Sequence, residues 1–243
     1  MKHKIEIFAL FILFGTINIV AQTNWTYPVK PGMEEWSRLY GEDERTAVVQ
    51  VPKEVLEKIT AKELVELCLD LPQFGFFGAF ETPQVGFDVM AGRYNIIEHL
   101  LLSREAGKYL IAVYKDAGMN GFRTLPYSNR FWPIKLRYIE LLLAQKEILQ
   151  SLTHEEKLEL LLGAREKFLM MMVSDIYNIN NAEFSLRIMA RILDMEEYQK
   201  LYRSSNWEII NRFIQTGSYL DRPPVDDLIE IIDNYINEKN YLK

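Results

Sequence analysis

A threonine followed three residues later by glutamate, with an apolar stripe at helical spacing behind it, occurs twice in this chain and constrains its fold class most. In Thr60-Ala61-Lys62-Glu63 the threonine oxygen can accept from a free amide at a helix start, and the glutamate can reach back. Ile59 and Leu64 occupy the staple positions beside it, and Pro72 closes the run. Thr153-His154-Glu155-Glu156 repeats the device ahead of Leu158, Leu161, Leu162, Phe168, Leu169 and Met172. Ser205-Asn206-Trp207-Glu208 reads as a third box, opening a helix through Ile209, Ile210 and Phe213. Pro223-Pro224 with Asp226 and Asp227 starts a last helix whose apolar face is Leu228, Ile231, Ile232 and Tyr235.

Helical periodicity extends over most of what remains. The pattern predicts about ten helices, near residues 31–40, 53–59, 61–71, 84–102, 104–117, 133–150, 153–174, 181–193, 195–204 with 206–216, and 224–239. Between residues 134 and 149 apolar side chains occur almost all round, the mark of a central, buried helix. Residues 46–51 are the only short β-branched run. The expected fold is all-α, a compact multi-helical domain, with a superhelical stack of helix pairs as the alternative arrangement. No period of 30–45 residues holds throughout, which favours the irregular domain.

Residues 1–21 have the layout of a secretory signal peptide. Lys2 and Lys4 give a basic start, residues 7–14 an unbroken apolar run, and Ile19-Val20-Ala21 a small-residue end before Gln22. The run is too short for a membrane span, which needs roughly 20 apolar residues. No cysteine follows the cut to carry a lipid. The expectation is therefore a secreted or periplasmic protein, residues 22–243 forming one domain without a stable membrane anchor. Cleavage removes two lysines and one glutamate, leaving 26 basic and 33 acidic residues and a net charge of −7. Such a surface repels phosphate backbones, so nucleic acid is not an expected partner.

Cys68, the single cysteine, excludes an internal disulfide framework and a thiolate metal cage. Its setting, Leu64-Val65-Glu66-Leu67-Cys68-Leu69, suits a small buried hydrophobe. His154-Glu155-Glu156-Lys157-Leu158 lacks the second histidine of a zinc helix. His99, before Leu100-Leu101-Leu102, reads as a residue at a helix flank or as a hydrogen-bonded core residue. A Gly-x-Ser-x-Gly elbow, a phosphate-cradling glycine loop and a calcium loop are all missing from the sequence, so neither catalytic residues nor a cofactor or metal are expected. Acidic pairs stand at Glu34-Glu35, Glu155-Glu156, Glu196-Glu197 and Asp226-Asp227. Most read as helix-start acids that favour the dipole.

Two stretches break the helical pattern. Residues 73–87 hold Phe74-Gly75-Phe76-Phe77-Gly78-Ala79-Phe80, which reads as an aromatic plug between helices. Residues 118–132 read as a long loop carrying Arg123, Tyr127, Asn129, Arg130, Phe131 and Trp132. Arg123, Tyr127, Arg130 and Trp132 mix planar cations with amphipathic rings, the types enriched at interaction hot spots, and are the candidate binding residues. Met170-Met171-Met172 reads as core filler.

Residues 52–114 resemble a family of uncharacterised exported bacterial helical proteins. The resemblance runs through Pro52, Leu56, Thr60, Leu64, Cys68 and Pro72, then Gly86-Phe87, Tyr94-Asn95, Glu98 and Arg104-Glu105-Ala106-Gly107 to Tyr114. Family members tend to carry Gly after the Asn and Asp after the Arg, where this chain has Ile96 and Glu105. The resemblance implies secretion and an all-helical fold, and no activity. Together these readings predict an exported helical binding or scaffold protein that contacts a protein, peptide or glycan. The alternatives are an all-α hydrolase working through paired carboxylates and a regulator or inhibitor of a co-exported enzyme.

Overall fold

The structure, a computed structural model, describes residues 25–117, 132–173, 179–218 and 223–240. Residues 1–21, which read as a signal peptide, and Arg123, Tyr127 and Arg130 lie outside the described residues. Both threonine boxes form. Thr60 caps α4 (Ala61–Leu69), and Thr153 caps α10 (His154–Met172), each accepting from the glutamate amide and receiving the glutamate carboxylate at its own backbone. The third box does not. The helix there, α13 (Trp207–Thr216), has no side-chain cap at Asn206; instead the Asn206 amide donates to the Ser204 hydroxyl at 3.1 Å, outside the helix.

The described residues are all-α. Before α4 come three short helices, α1 (Glu34–Ser37), α2 (Gly41–Val48) and α3 (Lys53–Leu56). The β-branched run at 46–51 thus begins inside α2 instead of forming a strand, and no strand occurs among the described residues to pair with it. Gln50 and Val51 are held by a polar stitch. The Asn95 side chain donates to the Val51 carbonyl at 2.8 Å and accepts from its amide at 3.0 Å. The Gln50 amide group reaches the carbonyls of Thr46 and Arg93.

That stitch marks where one expected helix becomes two. Tyr94 is extended, so residues 84–102 divide into α5 (Pro83–Arg93) and α6 (Asn95–Leu102). A second division falls at Ala144 and Gln145, between α8 (Trp132–Leu143) and α9 (Lys146–Ser151). Between them lies α7 (Ala106–Asp116). The aromatic stretch winds into a 3-10 turn, Phe74–Ala79, and only Phe77 of its four phenylalanines is fully buried. α5 crosses it closely at Gly86, where a Cβ would lie 2.2 Å from the Phe77 carbonyl oxygen.

After α10, the chain continues through α11 (Ile179–Met195), α12 (Gln199–Tyr202), α13 and α14 (Val225–Asn240). α10 and α11 form the most extensive pair. α8 is central as its pattern predicts, packing on α4, α5, α7, α9, α11 and the 3-10 turn. Its residues Leu136, Tyr138, Ile139, Leu141, Leu142 and Leu143 are all buried. Burying one such side chain contributes about 1.5–3 kcal/mol. α5 also meets α13, far away in sequence. In a superhelical stack each repeat touches only its neighbours, so the contacts fit the compact multi-helical alternative. Among the described residues, no helix is long and apolar enough to cross a membrane.

Candidate functional site

Trp132, expected to close the loop, is the first residue of α8. Arg123, Tyr127 and Arg130 lie outside the described residues, so nothing described brings the four candidates together. What it does bring together is polarity that the sequence pattern hid inside apolar helices.

The first assembly surrounds Glu140, on α8 within Tyr138-Ile139-Glu140-Leu141-Leu142-Leu143 and fully buried. Tyr114 of α7 donates its hydroxyl to Glu140 Oε1 at 2.7 Å, and Ser185 of α11 donates to the same oxygen. The other oxygen, Oε2, is buried without a hydrogen-bond partner. Lys167 of α10 comes from a third side, its ammonium 4.5 Å from the centre of the Tyr114 ring. Lys167 is only 6% exposed, and the carboxylates whose charge acts on it are Glu140 and Glu166. Burial pushes the Glu140 carboxyl up to about 7, against the opposing pull of Ser185, Tyr114, Lys167 and Arg137. Burial likewise lowers the Lys167 ammonium from its ordinary range, although Glu140 raises it.

The second assembly joins Arg187 and Arg191, one turn apart on α11. Arg187 Nε and Arg191 Nε both donate to the Ile214 carbonyl, at 3.1 and 3.0 Å. Arg187 Nη2 adds the Gln215 carbonyl at 2.8 Å, and Arg191 Nη1 takes the Ala144 carbonyl. Those oxygens belong to the ends of α13 and α8, where helices present unsatisfied carbonyls and negative dipole charge. Gln84 of α5 accepts from both guanidinium groups. Burial, then the neighbouring Arg191, pulls Arg187 well below its ordinary range, yet a guanidinium stays charged in a protein. This assembly is a brace: Arg187 Nη1 is buried without a hydrogen-bond partner, and the other donors named are committed to the fold.

Above Lys167 an open groove of about 350 Å³ runs between α7 and α10, lined by Lys115, Glu159, Leu162, Gly163, Glu166, Lys167 and Met170. It continues into a shallower depression of about 210 Å³ that shares Lys115 and Glu159. Lys115 and Glu159 are ion-paired across it. At the groove's edge, Leu162 and Leu169 on the outer face of α10 and Val173, the residue that closes it, are 43%, 47% and 83% exposed. At spacings of seven and four residues they lie within about 40° of one another around the helix. Their exposure contrasts with the opposite face, where Leu161, Ala164, Phe168 and Met171 are buried.

The remaining sequence candidates are structural. Cys68 is fully buried, its sulfur 3.3 Å from the Tyr138 hydroxyl, and burial raises the thiol to about 12. His154, in the first turn of α10, meets Glu196 at 3.1 Å, and Lys157 holds the other oxygen of that carboxylate at 2.9 Å. Glu34-Glu35, Glu155-Glu156 and Asp226-Asp227 occupy first turns as expected, whereas Glu196-Glu197 follows the end of α11. Of the three methionines, Met171 is buried and Met172 is 46% exposed, so only part of that run fills the core. No group of three His, Cys, Asp or Glu suited to a metal ion occurs among the described residues.

No known protein family, characterised relative or solved structure matches this chain.

Proposed function

We propose that this protein is an exported helical binding protein that engages a protein partner through the outer face of α10. The observation that carries the reading is the exposed row of Leu162, Leu169 and Val173, two leucines of the longest described helix and the valine that closes it, with Glu166 between the leucines and the charged groove alongside. Exposed apolar patches with polar rims mark association surfaces. The groove would add orientation through Lys115, Glu159 and Glu166, while the row supplies the apolar contact. Export rests on the layout of residues 1–21. A net charge of −7 after cleavage favours a basic partner at a distance, by electrostatic steering.

The hydrolase alternative gains no support from the groove. Its two carboxylates, Glu159 and Glu166, stand seven residues apart on one helix, a rise of about 10 Å. Lys115 occupies Glu159, and no aromatic ring lines the walls. A glycosidase needs its carboxyl pair in differing environments beside a sugar-binding surface.

The test uses residues 22–243 as bait against the envelope and medium proteins of the producing cell. Leu162→Asp with Leu169→Asp should abolish capture of a partner that wild type retains, with Tm within about 3 °C of wild type, because both side chains are already solvent-exposed. Retained capture by this double variant, together with loss on Arg130→Ala and Trp132→Ala, would transfer the contact to the 118–132 segment and overturn the α10 surface.

A further inference from the structure

Glu140 and Lys167 are each incomplete in a complementary way. Glu140 receives two hydroxyl donors on Oε1 and none on its buried Oε2. Lys167, largely buried along its stem, lines the groove, and its ammonium rests against the face of a tyrosine ring. Tyr114 connects them, its hydroxyl on the acid and its ring under the amine. We propose that Glu140 and Lys167 form a proton-operated latch beneath the α7–α10 groove. With the carboxyl protonated, the ammonium rests on the Tyr114 ring. With it ionised, the released proton goes to bulk water, and the ammonium swings past the ring to pair with Oε2, lowering the groove floor.

The geometry permits this movement. Four rotatable bonds separate the Lys167 ammonium from its backbone, and the side chain forms part of the groove lining instead of lying beneath packed atoms. An ionised carboxylate left with one bare oxygen in the core would be costly, and an ion pair is the available compensation. Burial places the Glu140 titration near neutral, where an exported protein meets changing conditions.

The groups facing Glu140 are few. α7 offers Tyr114, α10 offers Lys167, α11 offers Ser185, and its own helix offers Arg137 one turn before it. α4 and the 3-10 turn address the opposite face of α8, where Cys68 and Phe77 meet Tyr138. On α11, Glu183 stands two residues before Ser185, about 160° away around the helix, and its charge acts on Arg187. Lys167 is the one cation on a long, flexible stem that approaches from another helix. The latch does not depend on what occupies the groove, so its failure and the failure of the proposed partner surface are separable.

Carboxyl-carbon NMR of the full mature chain, titrated from pH 5 to 9, tests it. The Glu140 resonance in wild type should titrate near neutral, and backbone amides of residues 162–170 should report the same midpoint. Lys167→Met should raise that midpoint by about one pH unit, because the ion pair favouring the charged form is gone. Glu140→Gln should remove the transition from the α10 amides. A Glu140 midpoint unmoved by Lys167→Met would overturn the latch, as would α10 amides that ignore the titration in wild type. Should Lys167→Met not fold, Lys167→Gln gives the same readout.

Discussion

The two buried assemblies lie on opposite sides of α11 and treat charge in opposite ways. Ser185 faces the Glu140 joint; Arg187, two residues on, faces the brace. In the brace, charge is permanent and delocalised, and it is spent on the carbonyl ends of α8 and α13. In the joint, charge is optional, concentrated on one carboxyl and incompletely paired. Burying a polar group is tolerable when its hydrogen bonds are met. The brace largely meets that requirement, which makes it a fixed element. The joint meets it on one oxygen only, which makes it the adjustable one.

The largest effect should come from breaking the brace. Arg187→Ala leaves the Gln215 carbonyl without its guanidinium donor and opens a cavity among buried residues. A loss of about 3–5 kcal/mol is expected, read as a lower urea midpoint. Arg187→Lys should recover little of it, since a single ammonium cannot reach Ile214, Gln215 and Gln84 together. The loss should be the same at pH 5.5 and pH 8. A strongly pH-dependent loss would erase the contrast between the two assemblies.

The joint should show the opposite behaviour. Glu140 titrates near 7 when folded, against an ordinary carboxyl value near 4.5. The folded state therefore binds more protons than the unfolded one between those values, and stability falls as pH rises through that interval. The full difference is on the order of 3 kcal/mol. Glu196 acts in another window: despite the upward push of partial burial, Lys157 and His154 hold it low, so its contribution disappears only on acidification below about 4.5. Denaturant melts at pH 5.5 and 8 should show wild type weaker at pH 8. Glu140→Gln should flatten that difference. Parallel pH profiles for the two proteins would show that the joint does not titrate as described.

Neither assembly stood out in the sequence, and the reason is physical. Periodicity reports which face of a helix is apolar, so it revealed the central position of α8 and both threonine boxes. Glu140, Lys167 and Arg187 occupy positions on buried faces where a polar residue interrupts the pattern. A single interruption reads like any solvent-facing residue until tertiary contacts show what surrounds it. The signal was present in Glu140, one acid amid Tyr138-Ile139 and Leu141-Leu142-Leu143. The breaks at Tyr94 and Ala144–Gln145 were hidden for a related reason. They are enforced from outside, by Asn95 on Val51 and by Arg191 on the Ala144 carbonyl, and helical spacing continues across both. The candidate residues Arg123, Tyr127 and Arg130 rest on residue type alone and lie outside the described residues.

The smallest effect concerns how two helices next to these assemblies end. α13 ends at Gly217, which is left-handed with φ +67°, and a Cβ there would lie 2.7 Å from Arg187 Nη1. Glycine suits both demands, so the brace can sit against bare backbone. α11 ends with the same handedness at Glu197, φ +50°, while the Tyr198 amide donates to the Leu193 carbonyl at 3.0 Å. That is a Schellman-type closure in which the left-handed position favours glycine. A glutamate there carries steric strain that the α13 end avoids. Glu197→Gly should therefore stabilise the protein by about 0.5–1 kcal/mol, less the entropy glycine adds to the unfolded chain. A Tm rise of roughly 1–3 °C would confirm that the α11 end stores this strain. An unchanged or lower Tm would show that the Glu197 side chain contributes at least as much as its backbone costs, making both helix ends equally well suited to their residues.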